Sequence, residues 1–545
     1  MTDKERQLND SLYSYDFDSE WDVEKALREP QKPYQTRTEQ TGEHREEYHR
    51  ISGNAYSQQE EEPAKSAPRP VRKKSGGKRK PPVKSNIRGW LILIGLGAVA
   101  VAILVAFIWL IVAAVSPDTA EIPESETETV SVSGNIQAES TEAPLSAAMQ
   151  LINRADAVAL GYDYDGAIDV LREYGDNWEE QPELAAARDR YLEEKDSLSL
   201  WEDTAEIPHL AFHSLIVDSD RAFKSQYAAD FNRNMITVSE FRAILEELYN
   251  RGFVLVRLHD VARYGVTEEG DEMYIPGNIY LPEGKTPLVI SQDDVNYYEY
   301  MTDGNSDRYP DGRGAGFASK IVIGADGYPT CEYYKSSGEC VTGEYDLVPI
   351  LEAFIREHPD FSYLGARAVL SVTGYEGVFG YHTGMEWESI LGADDYSKEI
   401  RAAQDVTKCL KEHGWEIASH GYSHDSYSAM SVEGIASDVK KWKNQVQPII
   451  GETDILMFPY GCDIEDEDFY SGEEYDLLYD TGFRYFCAFS SEGNWVQFDD
   501  DYFRMSRIPI TGEAIFFDDD SLSDLFDAST ILDRTRPVMI SSIGQ

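Results

Sequence analysis

The sequence predicts an α/β protein whose larger part is a β/α barrel or a relative of one, held outside a membrane by a single spanning helix. Three observations lead to this. From residue 208 onward, short apolar runs alternate with segments of helical periodicity, which is the pattern of a parallel sheet with crossover helices. Residues 90–115 carry no charge at all. Residues 1–88 show almost no apolar periodicity.

The totals narrow the class. A chain of 545 residues is too long for one compact domain, and two or three units is the expectation. Its formal net charge is −50, from 49 Lys and Arg against 99 Asp and Glu. That excess argues against nucleic acid as a partner, because phosphate binding needs clustered cations on the binding face. Five Cys are too few for a disulfide scaffold. Cys331 and Cys340 are close enough in sequence to pair if the domain is exported.

Residues 1–88 are rich in Glu, Gln, Arg, Ser and Pro and are expected to be a disordered tail, since such a composition cannot bury enough surface to offset chain entropy. The tail ends in a basic run that includes Lys73, Lys74, Lys78, Arg79 and Lys80. Residues 89–115 follow as a transmembrane helix; roughly 20 apolar residues suffice to cross a bilayer core. The far flank, SPDTAEIPESETET, holds no Lys or Arg. The positive-inside rule then puts the tail in the cytoplasm and everything after the span outside the cell membrane. The basic run reads as a topology and lipid-headgroup signal.

Residues 116–144 form a Ser/Thr/Glu-rich extracellular linker. Residues 145–203 carry helical periodicity in AAMQLINRADAVAL, GAIDVLREY and AAARDRYLEE. LGYDYDGAIDVL is similar to part of a tetratricopeptide helix pair, but fewer than two repeats are present, so a stalk or packing hairpin is expected rather than a peptide-binding array. Residues 204–545 form the barrel domain. Its strands are expected in HLAFHSLIV, FVLVRL, PLVIS, ARAVLSVTG, WEIASH, ILMFPYG, FRYFCAF and RIPITG, with PVMISSI as a last candidate. FRAILEELYNRG, YDLVPILEAFIREHP and EIRAAQDVTKCLKEHG supply helices between them. An insertion rich in Gly, Asp and Tyr interrupts this pattern over residues 300–343.

In β/α barrels chemistry gathers at the C-terminal ends of the strands, and three expected strands end in suitable groups. PLVIS runs into Asp293 and Asp294; adjacent carboxylates diverge, so one can hold a metal while the other faces a water. WEIAS runs into His420, with His424 four positions on, a spacing that sets two imidazoles on one side of a turn. ILMF runs into Pro459, Tyr460 and Gly461, a turn able to present a backbone N–H to a developing oxyanion. Singly, each has an ordinary meaning: a helix cap, a chance His pair, a turn. Together, in this order and at strand ends, they are far more specific. A carboxylate and two imidazoles leave a tetrahedral metal one open position for water.

The order D-D, S-H-x-x-x-H, P-Y-G resembles the NodB-type polysaccharide deacetylases, carbohydrate esterases that remove acetyl groups from surface glycans. HLAFHSLIVD and MITVSEFRAILEELYNRGFVLVRLHDV resemble that family's first strand, first helix and next strand, and the likeness spans residues 208–545. It implies a distorted (β/α)7 barrel and a divalent metal, most often Zn2+. By motif, Asp294, His420 and His424 would be the metal ligands and Asp293 the catalytic base. Tyr460 would offer its backbone N–H to the oxyanion. The implied substrate is an acetylated cell-envelope polysaccharide, an N-acetylglucosamine-type polymer or peptidoglycan.

The sequence also departs from the family. Gln292 stands where an aromatic residue usually precedes the Asp pair, and Met457 where an Arg usually precedes the Pro. Arg507 is a candidate to supply that charge from a later strand. No His follows His424, and PVMISSI has Ser541 and Ser542 where the late His would stand. His382, in a loop, is a candidate replacement acid, whereas His209 and His213 read as structural residues of the first strand. The acidic run GCDIEDEDFYSGEEYD lacks the alternating ligands of a calcium loop and reads as a solvated loop. These departures define the alternative, a catalytically impaired relative that binds glycan or tethers the cell wall. A sensory or adhesive protein working through the long tail is a third class.

Overall fold

A computed structural model describes residues 145–267, 270–302, 315–465, 468–490, 493–517 and 520–539. The tail, the membrane span and the linker expected over residues 1–144 lie outside the described residues. Among the described residues no helix is long and apolar enough to cross a membrane.

The chain opens with three helices, α1 (Ala147–Ala159), α2 (Tyr164–Arg172) and α3 (Pro182–Asp196). Ser146 caps α1 by accepting from the Met149 N–H, and Asp163 caps α2 by accepting from Gly166. Seven parallel strands then close into a barrel: β1 (His209–Phe212), β3 (Thr286–Gln292), β4 (Val369–Val372), β5 (Glu416–Ser419), β6 (Ile455–Met457), β7 (Tyr485–Phe489) and β8 (Phe503–Pro509). They pair in that order, and β8 returns to β1 through Ile508↔Leu210. The eighth expected strand, β2 (Phe253–Leu255), stays outside the ring. It pairs with the first half of β3, while β4 takes the second half. Residues 537–539 of the expected last strand form none, and Ser541 and Ser542 lie outside the described residues.

Alternation along the strands decides what faces what. Leu210, Phe212, Leu288, Ile290, Leu370 and Ile417 share a core with α4 (Val238–Asn250), α5 (Leu347–Glu357) and α6 (Ala393–Glu412). Val289, Val369, Ala418, Met457, Cys487 and Met505 fill the barrel interior. That interior core continues into Leu171, Leu184 and Tyr191 of the N-terminal helices. Leu364 N–H bonds the Gly161 carbonyl at 2.8 Å, and the Tyr162 hydroxyl donates to the Asp360 carbonyl at 2.8 Å. The helices at 145–203 therefore share a hydrophobic core with the barrel.

The insertion folds as a three-stranded antiparallel sheet of Lys320–Ile323, Pro329–Tyr334 and Cys340–Gly343. Cys331 faces Gly343, and Cys340 faces Tyr334. The two thiols are free, one buried and one exposed, so the pairing expected from their closeness in sequence does not form. At the chain end the Glu240 carboxylate of α4, fully buried, meets Arg536 at 2.6 Å, which ties the last described segment back onto the first barrel helix.

At the N-terminal ends of β5 and β6, His259 bridges two carboxylates. Its Nδ1 bonds Glu416, and its Nε2 lies 3.0 Å from Asp454. Burial pushes its pKa down, but the two carboxylates outweigh that and raise it to about 10. The charged form is thus favoured by folding, and its contribution is complete at low pH and lost as pH rises through the folded value. Comparing the wild type with His259→Gln by thermal unfolding, we expect the largest gap below about pH 6.5, narrowing as pH approaches about 10. A second expectation concerns the helices. A chain started at Pro208 loses the partners of the interior core, where a buried Leu such as Leu171 or Leu184 contributes about 1.5–3 kcal/mol. It should unfold well below a chain started at Leu145 in the same melting experiment, or fail to stay soluble.

Candidate active site

The polar residues lie where the strands end. β3 runs into Asp293 and Asp294, and the Asp293 N–H still bonds the Phe212 carbonyl of β1 at 2.8 Å. β5 runs into His420, whose N–H bonds the Val372 carbonyl of β4 at 2.9 Å. Sheet pairing thus extends into the site and fixes both residues by their backbones. Asp294, His424 and Tyr460 have φ of +57°, +55° and +58°. Eight described non-glycine residues are left-handed, and these three belong to the three motifs; such strain persists where the surroundings over-determine it.

The two carboxylates diverge. Asp294 accepts from the Tyr298 hydroxyl at 2.7 Å and lies 3.6 Å from His424 Nε2. Asp294, His420 and His424 each offer an atom to one cluster, all three atoms within 4.8 Å of one another. His420 Nδ1 is 2.8 Å from the Met457 carbonyl, so that nitrogen carries the proton and Nε2 is left as the basic one. Burial pushes the His420 pKa down to about 4, which keeps the imidazole neutral, as a metal ligand must be. One carboxylate and two imidazoles fit a divalent ion, with one coordination position left over.

Asp293 turns the other way and is 2% exposed. Both its oxygens accept from Arg507 Nη1, at 2.8 and 2.9 Å, and Ser371 Oγ donates at 2.7 Å. Burial alone would raise its pKa, but Arg507, His420 and His213 hold it well below the usual carboxylate range. Arg507 lies in β8 and is fully buried. Met457 fills the barrel interior instead, so the guanidinium that the motif lacks comes from two strands further along. His209 is buried beneath this pair, and neither of its ring nitrogens has a hydrogen-bond partner among the described residues. Burial and Arg507 push its pKa far down.

His213 has a different place from the one expected. The first strand stops at Phe212, and His213 follows it at the rim. Its pKa is lowered by burial, against the opposing fields of Asp293 and Asp294, with His424 adding to the lowering. It therefore belongs among the site residues rather than the core. His382, the residue considered for an acid, is 4.0 Å from both Glu299 and Glu399 and packs on Trp387 with ring centres 3.8 Å apart.

The segment Pro459–Gly461 is a tight turn closed by the Gly461 N–H on the Phe458 carbonyl at 2.9 Å, with Tyr460 left-handed inside it. The Tyr460 ring packs edge-on against His424 at 4.5 Å. A side chain at Gly461 would run into Phe489 at 2.1 Å, and its φ of +67° also requires glycine. Asp438 of α7 (Val432–Gln445) was not legible as a site residue. It accepts from the N–H groups of Tyr422 and Ser423 at 2.7 and 2.9 Å and from the Tyr427 hydroxyl at 2.8 Å, which holds the loop between His420 and His424. Its one signal was an acid on the apolar face of a helix. The acidic run is likewise less solvated than expected, since Asp463 bonds buried Arg504 at 2.7 Å.

Residues 391–477 match the family described as polysaccharide deacetylase, a stretch that contains His420, His424 and Tyr460. Within that stretch the chain is similar to the polysaccharide deacetylases. No curated protein matches the chain. Among solved structures, the Streptococcus pyogenes deacetylase PplD in complex with acetate aligns at 12% identity and TM-score 0.30, over 60% of this chain and 98% of that one. A Mycobacterium smegmatis protein designated a polysaccharide deacetylase aligns at 16% identity and TM-score 0.19, over 29% of this chain and 43% of that one. The 4-alpha-glucanotransferase of Thermococcus litoralis aligns at 14% identity and TM-score 0.18, over 31% and 24%.

The barrel keeps Asp293 buried and ionised by virtue of Arg507. Arg507→Met should destabilise it by about 3–5 kcal/mol in urea unfolding, because it leaves an uncompensated buried charge. Adding Asp293→Asn to that variant should return most of the loss.

Proposed function

We propose that this protein is a metal-dependent hydrolase that removes acetyl groups from an N-acetylglucosamine-type cell-envelope polymer, peptidoglycan included. The observation that carries the proposal is the Asp294, His420 and His424 cluster beside a second, separately held carboxylate. The deacetylase family match supports hydrolysis as the reaction class. The uncharged stretch at residues 90–115, with its basic near flank, supports a membrane anchor with the barrel outside the cell.

Asp294, His420 and His424 would hold the ion, zinc being the one best suited to two imidazoles and a carboxylate. When bound, such an ion polarises the acetyl carbonyl and acidifies a water, which suits a base as weak as Asp293. Asp293 takes the proton from the attacking water as its oxygen bonds to the acetyl carbon. The Tyr460 backbone N–H donates to the oxygen that gains charge. The proton held by Asp293 then passes by way of His213 to the departing amine as the carbon–nitrogen bond breaks. A second reading, a glycan binder that has lost turnover, is favoured by Ser541 and Ser542 in PVMISSI, where the family resemblance leads one to expect a His.

The test is acetate release by the full-length protein from chitin oligomers, peptidoglycan and an acetyl ester, with and without chelator. We expect release that chelator and Asp293→Asn both abolish; binding of the same glycans without release would leave only the second reading. His213→Gln should slow amide substrates by about 10²–10⁴-fold. It should slow 4-nitrophenyl acetate far less, because that leaving group needs no proton. Equal loss on both would remove His213 from the role of acid.

A further inference from the structure

Asp346 is fully buried at the start of α5, just after the inserted sheet. Its oxygens collect donors from the two stretches that carry the site. Oδ1 accepts from the Leu215 N–H at 2.9 Å. Oδ2 accepts from Gln292 Nε2 at 2.9 Å and from the Tyr297 hydroxyl at 2.6 Å. Leu215 lies just past His213, Gln292 immediately precedes Asp293, and Tyr297 follows Asp294 within one turn of chain.

Gln292 sharpens the point. It is fully buried, and its Oε1 has no hydrogen-bond partner among the described residues, a situation that costs about 1–3 kcal/mol. An apolar side chain there would avoid the cost but would give Asp346 no donor. The departure from the family's aromatic residue thus has a physical use. Burial pushes the Asp346 pKa up, while Tyr297, Leu215 and Gln292 pull it back. The loop it restrains is strained at both ends, with Asp294 at φ +57° and Tyr297 at +55°, and such conformations persist only under outside restraint.

We propose that Asp346 is a positioning residue: it fixes the loops bearing His213 and the Asp293–Asp294 pair, so metal affinity and turnover both depend on it. The proposal rests on the reading that these residues form the active centre. Small displacements of ligands through their hydrogen-bonded supports typically reduce metal affinity or activity about 10–100-fold.

The experiment measures zinc affinity by competition with a chromophoric chelator, and kcat and KM for acetate release, on the full-length protein. Asp346→Asn conserves volume but turns one acceptor into a donor facing Gln292 and Tyr297. We expect zinc affinity and kcat each to fall about 10–100-fold with KM little changed. Gln292→Leu removes one donor and no charge, and serves if Asp346→Asn does not fold; it should move both quantities in the same direction by less. Arg367→Met is the control. It breaks the buried Arg367–Glu352 pair, 3.0 Å, which also involves α5, and should lower the melting temperature while leaving zinc affinity in place. Wild-type affinity and kcat in folded Asp346→Asn would overturn the proposal, as would equal affinity losses in Arg367→Met. A wild type that binds zinc but releases no acetate would overturn the proposed reaction, while the affinity comparison would still decide the role of Asp346.

Discussion

The interior of this barrel is organised around one buried ion pair, Asp293 with Arg507. The carboxylate is 2% exposed and the guanidinium fully buried, so each has lost its water. Two ions in that condition persist only with close geometry and further hydrogen bonds, which Nη1 and Ser371 supply at 2.7 to 2.9 Å. The bond joins the ends of β3 and β8 across the barrel mouth. It also holds Asp293 out of the metal cluster, which Asp294, His420 and His424 form. Asp294 is left to turn toward His420 and His424, and its left-handed backbone is what makes that reversal possible within one residue.

The metal cluster is then a matter of supports. His420 is oriented by the Met457 carbonyl and the His420–His424 loop by Asp438, while Asp294 is held by Tyr298. Each support comes from a different strand end or helix. The closed ring of strands is what brings these elements to one rim, and the continuous interior core below them, from Met505 and Cys487 down to Tyr191, is what keeps the ring from flexing.

Much of this was legible in the sequence. Seven of the strand segments form the ring, and the residues of D-D, H-x-x-x-H and P-Y-G do come to its rim, because apolar runs and polar strand ends are local signals. What was not legible is long-range. Arg507 meets a carboxylate 214 positions away; the sequence offered it as a candidate for the charge absent at Met457, but no spacing rule could tie it to Asp293. His213 was read as structural because a barrel's first strand packs into the core, and only the strand's end at Phe212 puts it on the rim. Cys331 and Cys340 are near in sequence, yet antiparallel register sets them opposite other residues. FVLVRL has the texture of a barrel strand, but β3 offers it only half an edge.

The ion pair also bears on whether the site turns over. A buried charge pair is seldom the most stable filling for an interior; apolar residues of like volume often do as well or better. A groove that only bound glycan would recognise hydroxyl and acetamide groups from its walls and rim. It would have no use for a second carboxylate, desolvated, held ionised and turned away from the first. The interior here accepts that arrangement, and it leaves His209, Arg507 Nε and Nη2 without hydrogen-bond partners among the described residues. Stability given up at the end of a strand, next to a metal-type donor set, is the pattern of a site kept for chemistry. On that ground the second carboxylate argues for turnover, with His213 on the same rim.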